Sequence, residues 1–581
     1  MLKSSNTREQ VSNNVVLLEV RSNEHRYSTM IAKGQPQAAD SAVYDVIIIG
    51  AGPCGLATAA RLREHHPSAL FTDEEQARYS WISRSTSVKN RRSGKVSPPS
   101  KGQKTTKELS ILVLDATSDT WLHRWNSLFS RLHIEYLRSP MFFHPDPQEW
   151  DALLAYCHTL NRTSRSKSEN NIQEIAGCVG KEISKHTKKK RMGSGSAKAP
   201  RDINERDRQD YFAPSAKAFR PFCEECVERY DLDRLVRKGK VVDVKHGVVP
   251  SISDTDKVFS IRTTDRVFHS RTAVLAMGGG DPVIPAPFQD HAKGSSSHAL
   301  DLSTGSSFVP HSVHCRLTSA LPTNILILGG GLTSAQVADH LLSRYPNSNL
   351  KIHHLMRSAW KIKPFDVDLD WMGKWRNTHK AYFWSEDDLA ERLEMAKKAR
   401  GGGSITPRYT RVLREWIRKG RLEVHTHTCV VDAKWNEQDG EWDIKTAPGI
   451  ALPKFHHVVF ATGLGSDVNT LPVLGSLRKT NPIETYGGFP ALNSDLMWDD
   501  GVPFFMTGRM AMLQLGPGAG NLEGARVGAE RIAWGIEKVL DGAEDGEEND
   551  GMEESVDRYV KGIGSKYEGL SIMDEDSGVE L

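Results

Sequence analysis

One run near the amino end, Tyr44-Asp45-Val46-Ile47-Ile48-Ile49-Gly50-Ala51-Gly52-Pro53-Cys54-Gly55-Leu56-Ala57-Thr58-Ala59, constrains this chain more than any other stretch. Its consecutive apolar, β-branched residues read as a strand buried on both faces, as in a parallel sheet. Gly50, Gly52 and Gly55 then match G-x-G-x-x-G, and a small-residue helix follows through Leu62. The three glycines do different things. Gly50 permits the tight turn, Gly52 lets backbone approach a pyrophosphate, and Gly55 lets helix pack closely on strand. The phosphates would rest on free N–H groups at the helix N-terminus, where the macrodipole favours negative charge. The competing reading is a tight turn in some other α/β protein. The motif's position between strand and helix favours a dinucleotide.

With 581 residues the chain can hold several domains and bury large cores. A hydrophobic content of 38% is low for a globular enzyme and predicts polar segments that dilute the core. A net charge of +3 argues against nucleic-acid binding by the whole protein. Seven scattered cysteines, an odd number, suggest a reducing compartment and a cytoplasmic protein. No run of eighteen apolar residues exists, so no membrane association is expected. Residues 1–43 read as a flexible leader without an apolar signal core, and 541–581 as a disordered acidic tail.

A dinucleotide fold wants an acidic residue about twenty positions beyond the glycines, at the end of the second strand, to bind ribose hydroxyls. Here residues 71–107 are rich in Ser, Lys, Arg and Thr and read as a surface insertion. The second strand follows as Ile111-Leu112-Val113-Leu114 and ends in Asp115, the candidate ribose ligand; a turn-forming Asp is the alternative. The aromatic and proline-rich stretch Trp121 to Trp150 reads as an ordered loop. Within it, Arg138 suits either a bidentate phosphate or carboxylate contact or a structural ion pair. A second polar insertion spans 161–210. Its Lys188-Lys189-Lys190-Arg191 run reads as a solvated loop, with nuclear import as the lesser reading. Ser215 to Tyr230 should be helical. Cys223 and Cys226 have redox spacing there, yet both fall on the apolar stripe, where thiols behave as small hydrophobes.

Asn324-Ile325-Leu326-Ile327-Leu328-Gly329-Gly330-Gly331-Leu332-Thr333-Ser334 repeats the strand–glycine–helix plan, with Ser334 in place of the third glycine. The next strand, Ile352 to Met356, ends in Arg357 where an NAD site would carry Asp or Glu. A guanidinium there suits a 2′-phosphate, so the second ligand is read as NADP, with Lys361 and Lys363 assisting. Asp366, Asp368 and Asp370 imitate the start of a calcium loop, but Trp371 stands at the required glycine, so no metal is expected. Val458 to Gly463 reads as a return strand joining the second nucleotide domain to the first. Phe504 to Gly508 reads as a last strand leading through Gln514 into a helix.

The strand and turn Ile47 to Gly55, the turn Leu328 to Gly331 and the segment Val458 to Gly463 together resemble the two-dinucleotide-binding-domain flavoproteins. Within them the chain is similar to the NADPH-dependent flavin monooxygenases, in particular to the L-ornithine N5-monooxygenase-like and oxidative-stress-induced growth-inhibitor-like families. The resemblance implies an α/β fold of two Rossmann-like domains, an NADPH domain (321–455) inserted between two parts of an FAD domain (44–320 and 456–540). It implies that NADPH reduces FAD, that O2 adds to give a C4a-hydroperoxyflavin, and that a small nucleophilic substrate is oxygenated, amine N-hydroxylation included. Gly50, Gly52, Gly55 and Asp115 would then serve FAD, and Gly329, Gly331, Ser334 and Arg357 NADPH. Pro53, Cys54, Arg138, Thr333, Gly508 and Gln514 are further cofactor-contacting candidates, and no catalytic side chain is assigned.

Two departures bear on the choice of reaction. No F-x-G-x-x-x-H segment is present, which takes support from Baeyer–Villiger oxygenation. Arg509 follows Gly508 where the disulfide-reductase branch carries Asp. The competing readings are a thiol–disulfide reductase using Cys223 and Cys226, or a non-enzymatic FAD- and NADPH-binding regulatory protein.

Overall fold

The computed structural model describes residues 42–64, 108–147, 149–163, 170–175, 205–288, 294–301, 309–372 and 376–541. The leader up to residue 41, the insertion at 71–107, most of the 161–210 insertion with its Lys188–Arg191 run, and the tail beyond 541 lie outside these residues. Among the described residues no helix is long and apolar enough to cross a membrane.

Two sheets carry the fold. The chain opens with β1 (Val43–Ile49), α1 (Pro53–Arg63), β2 (Ile111–Asp115), α2 (Ala216–Arg229), β3 (Val236–Lys238), β4 (Val241–Val248), β5 (Lys257–Thr263) and β6 (Val267–Leu275). It then builds a second sheet from β7 (Ser296–His298), β8 (Thr323–Leu328), α3 (Leu332–Arg344), β9 (Leu350–Leu355), α4 (Leu389–Arg400), α5 (Pro407–Arg418), β10 (Leu422–His425) and β13 (His457–Phe460). A hairpin of β11 (Cys429–Asn436) and β12 (Glu441–Ala447) precedes β13. The chain returns through β14 (Met497–Asp499), β15 (Val502–Met506) and α6 (Leu522–Asp541).

In the first sheet the order is β14-β15-β6-β1-β2-β3, with β4 and β5 extending from β6. β1 is central: Ile47 lies opposite Leu112 on one side and Ala273 on the other, both in parallel register. Val46, Ile47 and Ile48 are fully buried, as a strand covered on both faces requires. The second sheet runs β10-β9-β8-β13-β7 and is parallel throughout. One expectation is corrected here. Val458 to Phe460 does not return to the first sheet; it pairs with Leu326 to Leu328 of β8 and with β7. A buried apolar strand carries no mark of which parallel neighbour it will take, so its sequence could not separate the two destinations. The return to the first sheet is made by β15, beside β6.

The small-residue face of α1 meets that of α6, where Ala57 packs on Ala525 and Ala529. Close packing brings one charged pair into the core. Arg61 of α1 and Glu530 of α6 form a two-pronged contact, Nε to Oε2 at 2.7 Å and Nη2 to Oε1 at 3.0 Å, with both side chains almost wholly buried. Removing one partner would strand the other charge, at a cost of about 3–5 kcal/mol. Glu530→Ala is therefore expected to lower unfolding free energy by about 3–5 kcal/mol in denaturant titration, and the apolar double variant Arg61→Met/Glu530→Leu to recover most of it.

Candidate functional site

β1 ends at Ile49, and Gly50 turns the chain with φ +115°. A Cβ there would sit 2.8 Å from the carbonyl oxygen of Ala276, which follows β6. A Cβ on Gly55 would lie 2.0 Å from the carbonyl oxygen of Gly50, so helix and turn touch through bare backbone. Gly52 differs: it starts α1 as an N-cap with no side-chain cap, and the space where a Cβ would stand is open. The first N–H groups of α1 thus lack the usual internal partners and face a cradle that an anion fits.

Asp115 stands at the end of β2 beside this turn. Its carboxylate accepts from Ala51 N at 3.1 Å and from Thr117 N at 2.8 Å, Thr117 Oγ1 at 2.6 Å and Ser118 N at 3.3 Å. Burial pushes its pKa upward, but these hydrogen bonds outweigh it and hold the carboxyl below its ordinary range. Asp115 therefore buttresses the glycine turn and also forms the turn that the alternative reading of this residue expected.

The return from β15 closes the first cradle. Thr507 N donates to Leu275 O at 3.1 Å, and Gly508 follows with φ +72°; a Cβ there would lie 3.2 Å from Cys54 Sγ. Burial pushes the Cys54 thiol up to about 11, so this cysteine, next to Pro53 in the first turn of α1, is a packed neutral group. The N-terminus of α6 is capped by Asn521 Oδ1, which accepts from Glu523 N at 2.9 Å.

The second cradle repeats the first. Gly329 has φ +146°, and a Cβ on it would lie 2.3 Å from Ala461 O; Gly331 caps α3 beside open space. Ser334, fully buried, donates Oγ–H to Gly331 O at 2.7 Å, which shows how serine substitutes for the third glycine. Thr333 lies in the first turn of α3. His354 was not anticipated: burial holds its pKa down to about 4, and the neutral ring donates through Nε2 to Gly329 O at 2.6 Å. The two adjacent histidines of β9, His353 and His354, were the available signal. Arg357 lies exposed beyond β9, and among the described residues its side chain has no ion pair or hydrogen bond.

Other candidates are engaged elsewhere. Arg138 donates to Lys363 O and Ser404 O (both 3.0 Å), Phe365 O (2.8 Å) and Ser404 Oγ (2.8 Å). It staples the loop after β2 to segments of the second half, and burial lowers its pKa to about 10. Gln514 donates to Leu492 O at 2.6 Å and accepts from Arg392 at 3.2 Å, which commits both ends of its amide. Lys361 and Lys363 cap the end of α4 through the carbonyls of Gly401 and Arg400 at 2.6 and 2.9 Å. That capped end brings Gly403 against the second turn, where a Cβ would lie 3.0 Å from Gly331 N. Asp366 and Asp368 pair with Arg400 (3.2 Å) and Lys363 (2.8 Å). Cys223 and Cys226 are almost fully buried on α2, and burial drives both thiols well above their ordinary pKa. A buried neutral thiol is a poor nucleophile, which removes support from disulfide exchange.

Residues 208–399 match the family model described as L-lysine 6-monooxygenase/L-ornithine 5-monooxygenase. Among solved structures, the reduced form of ornithine hydroxylase from Pseudomonas aeruginosa aligns at 16% identity and TM-score 0.54, covering 86% of this chain and 100% of its own. The FAD-bound cadaverine monooxygenase of Erwinia amylovora aligns at 14% and 0.53, covering 85% and 94%. The ornithine N-hydroxylase of Kutzneria sp. 744, with reduced FAD, NADP+ and L-ornithine, aligns at 16% and 0.52, covering 86% and 99%. No curated protein matches the chain. The α/β fold of this chain is thus shared with these three structures.

The two glycines of the first turn should separate binding from folding. Gly52 has φ −83° and ψ −173°, which any residue adopts, so Gly52→Val is expected to fold with a melting temperature within a few degrees of wild type. It should retain FAD at least tenfold more weakly by fluorescence titration. Gly55→Val, whose side chain would overlap backbone, should yield no soluble folded protein. Acid should reveal Asp115. Its depressed pKa contributes stability that is complete above the unfolded value near 4 and is lost as pH falls through the lower folded value. Stability measured from pH 5 downward should fall less steeply in Asp115→Asn.

Proposed function

We propose that this chain is an FAD- and NADPH-dependent monooxygenase that N-hydroxylates a small primary amine. The observation that carries the reading is the pair of uncapped helix N-termini, α1 after Gly52 and α3 after Gly331, each following the carboxyl end of a strand with parallel neighbours on both sides. Ligands bind in such sheets where neighbouring strands lead the chain in opposite directions. The family-model match over 208–399 supports an amine as the substrate.

In this reading the first cradle binds the pyrophosphate of FAD. Gly52 admits the phosphates, and Asp115 holds the turn through Ala51 N while remaining ionised beside the ribose. The second cradle binds NADPH, with Arg357 meeting the 2′-phosphate beyond β9. Bound FAD would supply the redox chemistry, accepting reducing equivalents from NADPH and allowing one oxygen atom of O2 to be transferred. The balance is amine + NADPH + H+ + O2 giving hydroxylamine + NADP+ + H2O. The chain's part is to orient both nucleotides and to keep water from the reacting centre, which explains why few catalytic side chains are required.

Purified protein supplied with FAD and NADPH should convert one of L-ornithine, L-lysine or cadaverine to its hydroxylamine, read by mass spectrometry, with NADPH use coupled to product. Sulfides and ketones in the same assay should be poor substrates. NADPH oxidation that yields hydrogen peroxide alone with every amine would overturn the reaction assigned. A charge-assisted contact contributes about 1.5–3 kcal/mol, so Arg357→Ala should raise KM for NADPH about 10- to 100-fold and leave KM for NADH nearly unchanged.

A further inference from the structure

On the far side of β9 from the glycine turn, the edge of the second sheet carries a group of side chains that the nucleotide reading does not use. His353 of β9 lies opposite Glu423 of β10, and His425 follows Glu423 by two residues, so all three stand on one face of the parallel pair. His353 Nδ1 is 3.3 Å from His425 Nε2, and the two rings are parallel to within 3°. The Glu423 carboxylate oxygens lie 3.9 Å from His353 Nδ1 and 3.6 Å from His425 Nε2. One donor atom from each residue falls within 4.8 Å of the others.

These separations suit a shared ion better than mutual hydrogen bonds. A distance of 3.3 Å is long for a nitrogen–nitrogen hydrogen bond, and both carboxylate distances lie outside hydrogen-bond range. A tetrahedral ion with metal–nitrogen bonds of about 2.0–2.1 Å would set its two nitrogen ligands about 3.3 Å apart. His353 is almost completely buried, with its ring nearly perpendicular to that of Phe455 (centroids 5.3 Å), so the imidazole is held in place on the sheet. Glu423 is half-exposed and keeps its position through Lys351, whose ammonium lies 2.9 Å from Oε2. A hydrogen-bonded carboxylate beside two imidazoles is the donor set of Zn2+ and its neighbours in the first transition row, not of Mg2+ or Ca2+.

We propose that His353, Glu423 and His425 form a binding site for a divalent transition-metal ion of the Zn2+ type, three ligands from the protein and one position open to solvent. The ion would clip β9 to the edge strand β10. That edge is already tied to the segment bearing Arg357, because Met356 N donates to His425 O at 2.8 Å and Thr428 N to Met356 O at 3.0 Å. The site is independent of the reaction assigned above.

The test uses the full chain after chelator treatment, titrated with Zn2+ against a chromophoric chelator and separately with Co2+. One tight equivalent of Zn2+ is expected, with Co2+ giving the intense visible absorption of a four-coordinate ion, and the melting temperature should rise on Zn2+ addition. His425→Ala and Glu423→Gln should each lose at least tenfold in affinity and lose both the absorption and the rise in melting temperature. Should His425→Ala fail to fold, Glu423→Gln, altered at a half-exposed side chain, carries the comparison. A wild-type chain that retains no ion, or variants that bind the same equivalent with unchanged affinity through other histidines, would overturn the site.

Discussion

At both glycine turns backbone meets backbone with no room for a side chain, and the rest of the architecture follows from these contacts. Gly55 rides on the carbonyl of Gly50, and Gly329 on that of Ala461. The first contact sets α1 against its own turn, the second sets the turn before α3 against the residue that follows β13, and both helices begin at a glycine that supplies no side-chain cap. Unmet donors at a helix N-terminus are tolerable only where water or an anion can reach them. Open space beside Gly52 and Gly331 meets that condition at both turns.

The two halves are held together by backbone and by buried cations. The chain leaves the first sheet through residues 276–283 and later comes back alongside them: Gly280 N donates to Gly465 O, and Gly465 N to Asp281 O, both at 2.9 Å. Arg138 adds a second tie, satisfying a guanidinium with carbonyl oxygens in place of a carboxylate. Asp366 lies close enough to favour its positive charge and Arg400 opposes it, and the same two groups act on Arg509.

A second buried polar group supports the loop between β2 and α2. Asp146, wholly buried, pairs with Arg229 at 2.5 Å, and Arg526 lies over the ring of Trp150 at 5.3 Å. His144 beside them is driven down to about 3, first by burial and then by Arg526, and so stays neutral. Such a network specifies one arrangement of the aromatic loop, since any displaced member would leave a buried charge unpaired.

Much of this was legible in the sequence. Consecutive β-branched residues followed by spaced glycines can satisfy their backbone only as a buried strand, a tight turn and a helix, so both cradles, Asp115 at a strand end and the buried thiols of α2 were readable from local rules. What local rules do not carry is the choice of partner. Val458 to Phe460 is as apolar as β1 or β6, and only the packed fold decided that it joins β8. Arg138 and Gln514 have side chains long enough to reach a cofactor or a carbonyl, and their partners lie 266 and 22 residues away. His353, Glu423 and His425 are likewise brought together only by the register of two parallel strands. Short-range sterics and hydrophobic periodicity act within a few residues and are written along the chain. The targets of long polar side chains and the neighbours of buried strands depend on which distant segments arrive beside them, and tertiary structure alone determined those.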